Sequence, residues 1–266
     1  MHYVVSDPHG HVEPLVGALQ EANVLDQDRA WSGGQTRLTF LGDYFDRGPD
    51  GIAVVDLIRR LQVEAGTTGG QVEAMLGNHE VLALGMSRFG GQQVPSDRWA
   101  GHSFARSWAL NGGKVTDQER LSDEHIQWLC GLDGVILAGR DLLLHSDTAD
   151  YLHWGDTAEQ INDELRQVLA GDDLEQWWQC WVRLTNRFDF AGPDGQRVAT
   201  DLLDRLGGER VVHGHSIITT FTGQALSEVT GPLSYAGGQV LAIDGGVYAG
   251  GPCLVVSLDR DPATSA

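Results

Sequence analysis

The chain has 266 residues, 41% hydrophobic and 21% charged, enough for one sizeable α/β domain or two small ones around a core that needs no staple. Eighteen Lys and Arg stand against 37 Asp and Glu, a formal charge of −19. That balance leaves no broad cationic face, so binding along a nucleic-acid backbone or to an anionic membrane surface is excluded. An anionic substrate is repelled too unless bound divalent cations reverse the field locally, although acidity also serves plain solubility.

The chain opens on a short apolar strand, His2–Ser6, with no secretory signal before the polar turn at Asp7. Val12, Leu15, Val16 and Leu19 recur at helical spacing; Thr36–Leu41 reads as a second strand; Val54, Val55, Ile58 and Leu61 form one helical face. Val72–Leu76 is a third strand and Glu80–Ser87 another helix, a βαβαβ order that implies parallel pairing with helices covering the sheet. Residues 90–128, with Gly90-Gly91, Gly112-Gly113, Trp99 and Trp108, read as a helical insertion over the site. Val135–Leu137 and Asp141–Leu144 flank a turn and predict a hairpin ending at His145. Residues 157–206 are helical by pattern, broken by Gly192-Pro193-Asp194-Gly195. Strand signals return at Arg210–Val212, Val240–Ile243 and Leu254–Leu258, and Pro262–Ala266 read as a frayed tail. One domain spanning 1–266, with a helical cap, is the economical organisation. No apolar run approaches the ~20 residues of a membrane span. Cys130, Cys180 and Cys253 are isolated, which points to core thiols in a reducing, cytoplasmic compartment.

The chemistry lies at the strand ends. Each of the first three strands runs into a glycine-containing polar turn: Asp7-Pro8-His9-Gly10, Gly42-Asp43-Tyr44-Phe45-Asp46-Arg47-Gly48, and Gly77-Asn78-His79-Glu80. Parallel strands deliver such turns to one edge of the sheet, where sites of open α/β folds form. His145 follows a strand of three leucines, and His215 follows Val211-Val212-His213-Gly214. Hard oxygen donors with neutral imidazoles suit a pair of divalent cations, which acidify water and screen a phosphate ester against it. Singly, each residue is more often a turn former, a helix cap or a hydrogen-bonded core or surface histidine; the conjunction carries the chemistry.

These blocks resemble the calcineurin-like metallophosphoesterases, and within them the phosphoprotein phosphatase branch, over residues 7 to 215. The resemblance implies a four-layer α/β/β/α sandwich of two mixed β-sheets with an inserted helical cap. It implies that Asp7, His9 and Asp43 hold a first metal, that Asp43 bridges, and that Asn78, His145 and His215 complete a second. His79 would protonate the leaving alkoxide with Asp46 as its carboxylate partner. Arg47 would clamp phosphate, joined by a later arginine, either Arg183 or Arg187, with Arg183 preferred. Two departures stand out: Ser146-Asp147-Thr148 follows His145 where the pattern has two glycines, and His213 competes with His215, as His153 does with His145.

Mixed Asp, His and Asn donors suit Mn²⁺, with Fe or Zn²⁺ also compatible. The expected substrate is a phosphorylated one: a phosphoprotein for a serine/threonine phosphatase-type enzyme, or alternatively diadenosine tetraphosphate or another small phosphoester. Trp177, Trp178 and Trp181 fit either nucleobase stacking or core packing. A non-catalytic metal-binding scaffold is the reading from another class, opposed by the presence of His79, Asp46 and Arg47.

Overall fold

A computed structural model of the chain describes residues 1–259; the expected tail at Pro262–Ala266 lies outside them. The first sheet takes β1 (His2–Val5), β2 (Arg37–Phe40), β3 (Gln71–Ala74) and β9 (Val255–Ser257) in the order β3-β2-β1-β9. The β1–β2 and β2–β3 pairs are parallel, with Val4 opposite Thr39 and Thr39 opposite Glu73, and β9 runs antiparallel to β1. The second sheet holds β4 (Val135–Ala138), β5 (Asp141–Leu144), β6 (Arg210–His213), β7 (Leu233–Tyr235) and β8 (Val240–Ala242) in the order β4-β5-β6-β8-β7. There β5, β6 and β8 are mutually parallel, with antiparallel edges on both sides.

Side-chain alternation builds the layers. Val4 of β1 and Val256 of β9 meet Leu143, Val212 and Leu241 of the second sheet in one apolar seam between the sheets. Their neighbours Val5, Leu142, Leu144 and Val211 face the other way and join the helix-packed core. Covered on both faces, β5 and β6 are buried throughout, which is why their sequences read as unbroken runs rather than alternations. The helices complete the four-layer sandwich. α1 (Val12–Glu21) and α2 (Gly51–Thr67) cover the first sheet; α7 (Ala158–Ala170) and α9 (Gly195–Leu206) cover the second.

Three further helices form the expected 90–128 segment and its continuation: α4 (Phe104–Leu110), α5 (Val115–Arg120) and α6 (Asp123–Cys130). α3 (Asn78–Phe89) packs on α4 and on α8 (Leu174–Thr185), and α10 (Ile218–Thr222) is a single short turn. The seam among α3, α4 and α8 is aromatic: Trp178 lies 5.3 Å from Phe104 and 4.7 Å from Trp181, and Trp177 lies 5.6 Å from Phe89. Trp177 and Trp178 are fully buried, so they are packing residues, each ring contributing on the order of 2–3 kcal/mol through burial. Among the described residues no helix is long and apolar enough to cross a membrane.

Candidate metal centre

The strand-end turns converge as their spacing requires, and the backbone bends sharply to do it. Asp7, His9, Asp43, Asp46, Arg47 and His215 all have positive φ, between 41° and 66°. Non-glycine residues rarely adopt that region, and clusters of them mark sites where surrounding structure fixes the backbone. Glycines allow the remaining close approaches. A Cβ on Gly77 would collide with Asp43 Oδ1, and one on Gly214 would collide with Asp7 Oδ2.

Asp43 is the centre. Its carboxylate, with His9 and His79 on one side and His145 and His215 on the other, forms two groups of buried donor atoms, each drawn within 4.8 Å. His9 Nε2 lies 3.6 Å from Asp43 Oδ2, and His145 Nε2 lies 3.3 Å from Oδ1. Asp7 stands just behind. Its Oδ2 accepts from the His215 backbone N–H at 2.8 Å, which ties the first turn to the last.

Hydrogen bonding sets the imidazole tautomers. His9 Nδ1 donates to the Phe45 carbonyl at 2.8 Å, His145 Nδ1 to Leu41 at 2.9 Å, and His215 Nε2 to Thr185 at 3.1 Å. Each ring therefore turns its bare nitrogen inward, as metal-ligating histidines do. His9 Nε2 is buried with no hydrogen-bond partner among the described residues. Burial first, then neighbouring positive charge, holds His9 and His215 well below the ordinary imidazole range, so both are neutral donors.

The inward end of the Asn78 amide lies 2.9 Å from His145 Nε2, 3.1 Å from His215 Nδ1, and 3.2 and 3.3 Å from the two Asp43 oxygens. With its oxygen inward, Asn78 adds a fifth acceptor atom to four that already face one another. A cation reconciles such a set; without one, the amide turns its NH₂ inward and its oxygen towards Thr185 Oγ1 at 3.3 Å. The carboxylates tell the same story. Burial and the neighbouring Asp43 push Asp7 up to about 7, and burial raises Asp43 too. The donor set fits bound cations, which would relieve both.

Beside Asp43 lies a dyad. His79 Nδ1 donates to Asp46 Oδ2 at 2.7 Å, and Trp108 of α4 donates to Asp46 Oδ1 at 3.0 Å. Burial pushes Asp46 up to about 7 and His79 down to about 4, with Asp43 opposing the latter. Arg47 Nη2 donates to His79 Nε2 at 3.1 Å, and the Arg47 backbone N–H donates to the Gly112 carbonyl at 2.8 Å. The 90–128 segment thus holds both Asp46 and Arg47.

The two later arginines separate. The Arg187 charge is near enough to help depress His79, His145 and His215. Arg183 instead sits 5.9 Å from the Trp154 ring, lining a surface cleft with His153, Gln176 and Cys180. The preference for Arg183 is therefore not supported: its guanidinium lies at that cleft, whereas the Arg187 charge reaches the histidines of the centre. His213 also points elsewhere, bonding Tyr235 at 2.8 Å, and His153 is exposed beside Asp150.

A family model for calcineurin-like phosphoesterases matches residues 3–218. The chain belongs to that family. An 80-residue stretch of the chain is 33% identical to Shewanella-like protein phosphatase 2 of Arabidopsis thaliana, covering 30% of the chain and 20% of the plant protein. A symmetrical bis(5′-nucleosyl)-tetraphosphatase of Legionella pneumophila is 34% identical over 209 residues, 77% of the chain and 66% of that enzyme. The chain thus spans a fifth of the first and just under two thirds of the second. A cold-active protein tyrosine phosphatase shares the fold with a TM-score of 0.71 at 21% identity, over 96% of this chain and 72% of its own. A yeast protein serine/threonine phosphatase shares it with a TM-score of 0.53 at 14% identity, over 91% and 66%.

The site holds residues beyond the sequence motifs. Glu80, fully buried, accepts from the Asp43, Tyr44 and Gly77 N–H groups at 2.7–2.8 Å, locking two ligand turns together. Asp244 follows β8, buried, and is raised by burial and then by Asp7 and Asp43. Its signal was present in the sequence: an apolar strand running into Asp244-Gly245-Gly246, as β2 runs into Gly42-Asp43. Tyr248 lies with its ring 4.2 Å from the Arg47 guanidinium and 5.1 Å from His9. No strand–turn pattern announces it.

Proposed function

We propose that the chain is a two-metal phosphomonoesterase acting on phosphorylated protein side chains, in the manner of serine/threonine phosphatases. The observation that carries the reading is Asp43, whose one carboxylate belongs to both groups of buried donors. Asp7, His9 and Asp43 would hold one cation; Asp43, Asn78, His145 and His215 would hold the other. When bound, divalent cations (Mn²⁺ first for this donor set, Fe or Zn²⁺ next) supply Lewis acidity that acidifies water and neutralises phosphate charge.

The chain's own groups do the rest. Arg47 and Arg187, which form no ion pair with a carboxylate among the described residues, hold the phosphate oxygens from two sides. His79 delivers a proton from Nε2 to the leaving oxygen, with Asp46 fixing its ring through Nδ1. Tyr248 and Phe188, both partly exposed, border the arginines and offer apolar contact to the group carrying the phosphate. The isolated free cysteines accord with a reducing, cytoplasmic setting.

The Legionella likeness favours a second reading, hydrolysis of a dinucleoside tetraphosphate. Turnover of phosphoserine, phosphothreonine and phosphotyrosine peptides is compared with that of diadenosine tetraphosphate in Mn²⁺. Peptide turnover in excess supports the first reading; dinucleotide cleavage without peptide turnover replaces it with the second. A metal-replete sample inert towards every phosphoester supports a binding scaffold instead.

A further inference from the structure

Where the family pattern places glycines after the later histidine, this chain has Asp147, fully buried. Its two oxygens do different work. Oδ1 accepts from the Ser216 hydroxyl at 2.6 Å, and Oδ2 accepts from the Phe188 backbone N–H at 2.8 Å. Its own carbonyl accepts from Asp189 N–H at 3.1 Å. Ser216 directly follows His215, and Phe188 directly follows Arg187. One carboxylate thus joins the exits of β5 and β6 to the segment after α8.

That segment needs an external anchor. Helix α8 ends at Thr185, and Phe188 has φ 73°, a left-handed backbone unfavourable for a phenylalanine and held only by what surrounds it. Arg187 is an exposed side chain on this strained turn, so its direction follows the Phe188 amide. A glycine at position 147 would leave that amide and the Ser216 hydroxyl without their partner.

We infer that Asp147 is a positioning residue that fixes the phosphate clamp Arg187 and the metal ligand His215 in one frame. The inference rests on the phosphatase reading above. Asp147→Ala removes both bonds. Asp147→Asn keeps them, because its oxygen still meets the Phe188 amide while the Ser216 hydroxyl turns from donor to acceptor.

The test is inhibition of the Mn²⁺-loaded enzyme by inorganic phosphate, with KM and kcat measured alongside. Arg187→Gln is expected to raise the phosphate inhibition constant about tenfold, the loss of one charge-assisted contact. Asp147→Ala is expected to approach that rise, mainly in KM. The Asp147→Ala/Arg187→Gln double variant is expected to go no further than Arg187→Gln, and Asp147→Asn to stay near the parent. Unchanged phosphate inhibition in Asp147→Ala, an additive double variant, or an Asn variant as defective as Ala overturns the proposal. If Arg187→Gln itself changes nothing, the reading of Arg187 as a clamp fails instead. Should Asp147→Ala not fold, Ser216→Ala decides: weakened binding of one of two Mn²⁺ ions supports the frame, and unchanged two-site binding overturns it.

Discussion

Arg47 donates to His79 at 3.1 Å through the ring nitrogen that would have to carry the proton. With Nδ1 committed to Asp46 at 2.7 Å, His79 is in this arrangement a neutral acceptor. A phosphate that draws Arg47 away frees Nε2 to take up a proton from solvent, and only the ring so protonated can pass one to the leaving oxygen. Arg47→Ala is accordingly expected to lower kcat/KM by about 10–100-fold, roughly one charge-assisted contact to the phosphate and its orientation. Steady-state kinetics on a single phosphomonoester check it.

His79→Ala separates acid catalysis from binding. Loss of a general acid is expected to cost roughly 10²–10⁴ on an alkyl phosphate and far less on p-nitrophenyl phosphate, whose leaving group needs no proton. Equal losses on both substrates contradict the assigned role.

Asp43→Asn tests the shared ligand. Its carboxylate belongs to both donor groups, so the variant is expected to weaken both cation sites together. Metal content after dialysis reads the result directly; two equivalents retained contradicts bridging.

Glu80 supports the site without entering it. Three backbone N–H groups point at its two oxygens. Glu80→Gln turns an NH₂ towards at least one of them and is expected to cost about 1–3 kcal/mol, measured by urea unfolding in the presence of chelator.

The buried carboxylates give the metal-free protein an unusual pH response. Asp7 and Asp46 are pushed up to about 7 in the folded state, against an ordinary carboxylate value near ~4 when unfolded. Above pH ~4 the folded chain therefore binds more protons than the unfolded one, and stability falls as pH rises. Below about 6.5 the depressed histidines His9, His79 and His215 oppose this trend. From about pH 6.5 to the values of Asp7 and Asp46, the carboxylates act alone. Thermal melts in EDTA are expected to fall between pH 6.5 and 7.5, and Mn²⁺ is expected to abolish the fall.

Much of the site is legible because parallel β-strands carry the turns at their carboxyl ends to a predictable place. Asp7, Asp43, Asn78, His145 and His215 all stand just past such strands, and the structure gathers them. Arg183 and Arg187 are not separable by pattern. They stand four apart, which on a continuing helix is one face, and only the end of α8 at Thr185 divides them. Strand β7 is silent in the sequence because three half-exposed residues at a sheet edge carry no periodic signal. Tyr248 approaches the site from a glycine-rich loop whose path depends on the packing of β8 and β9.

The left-handed ligand turns also constrain how such a site can decay. At φ near 60°, asparagine is tolerated through its own local hydrogen bonding, whereas β-branched residues are not. Replacing Asp7, Asp43 or His215 by valine would therefore damage the backbone as well as the donor set. Asparagine would silence the chemistry and leave the turns standing. Loss of donors that leaves the backbone standing is thus confined to residues that accept φ near 60°, glycine and asparagine foremost.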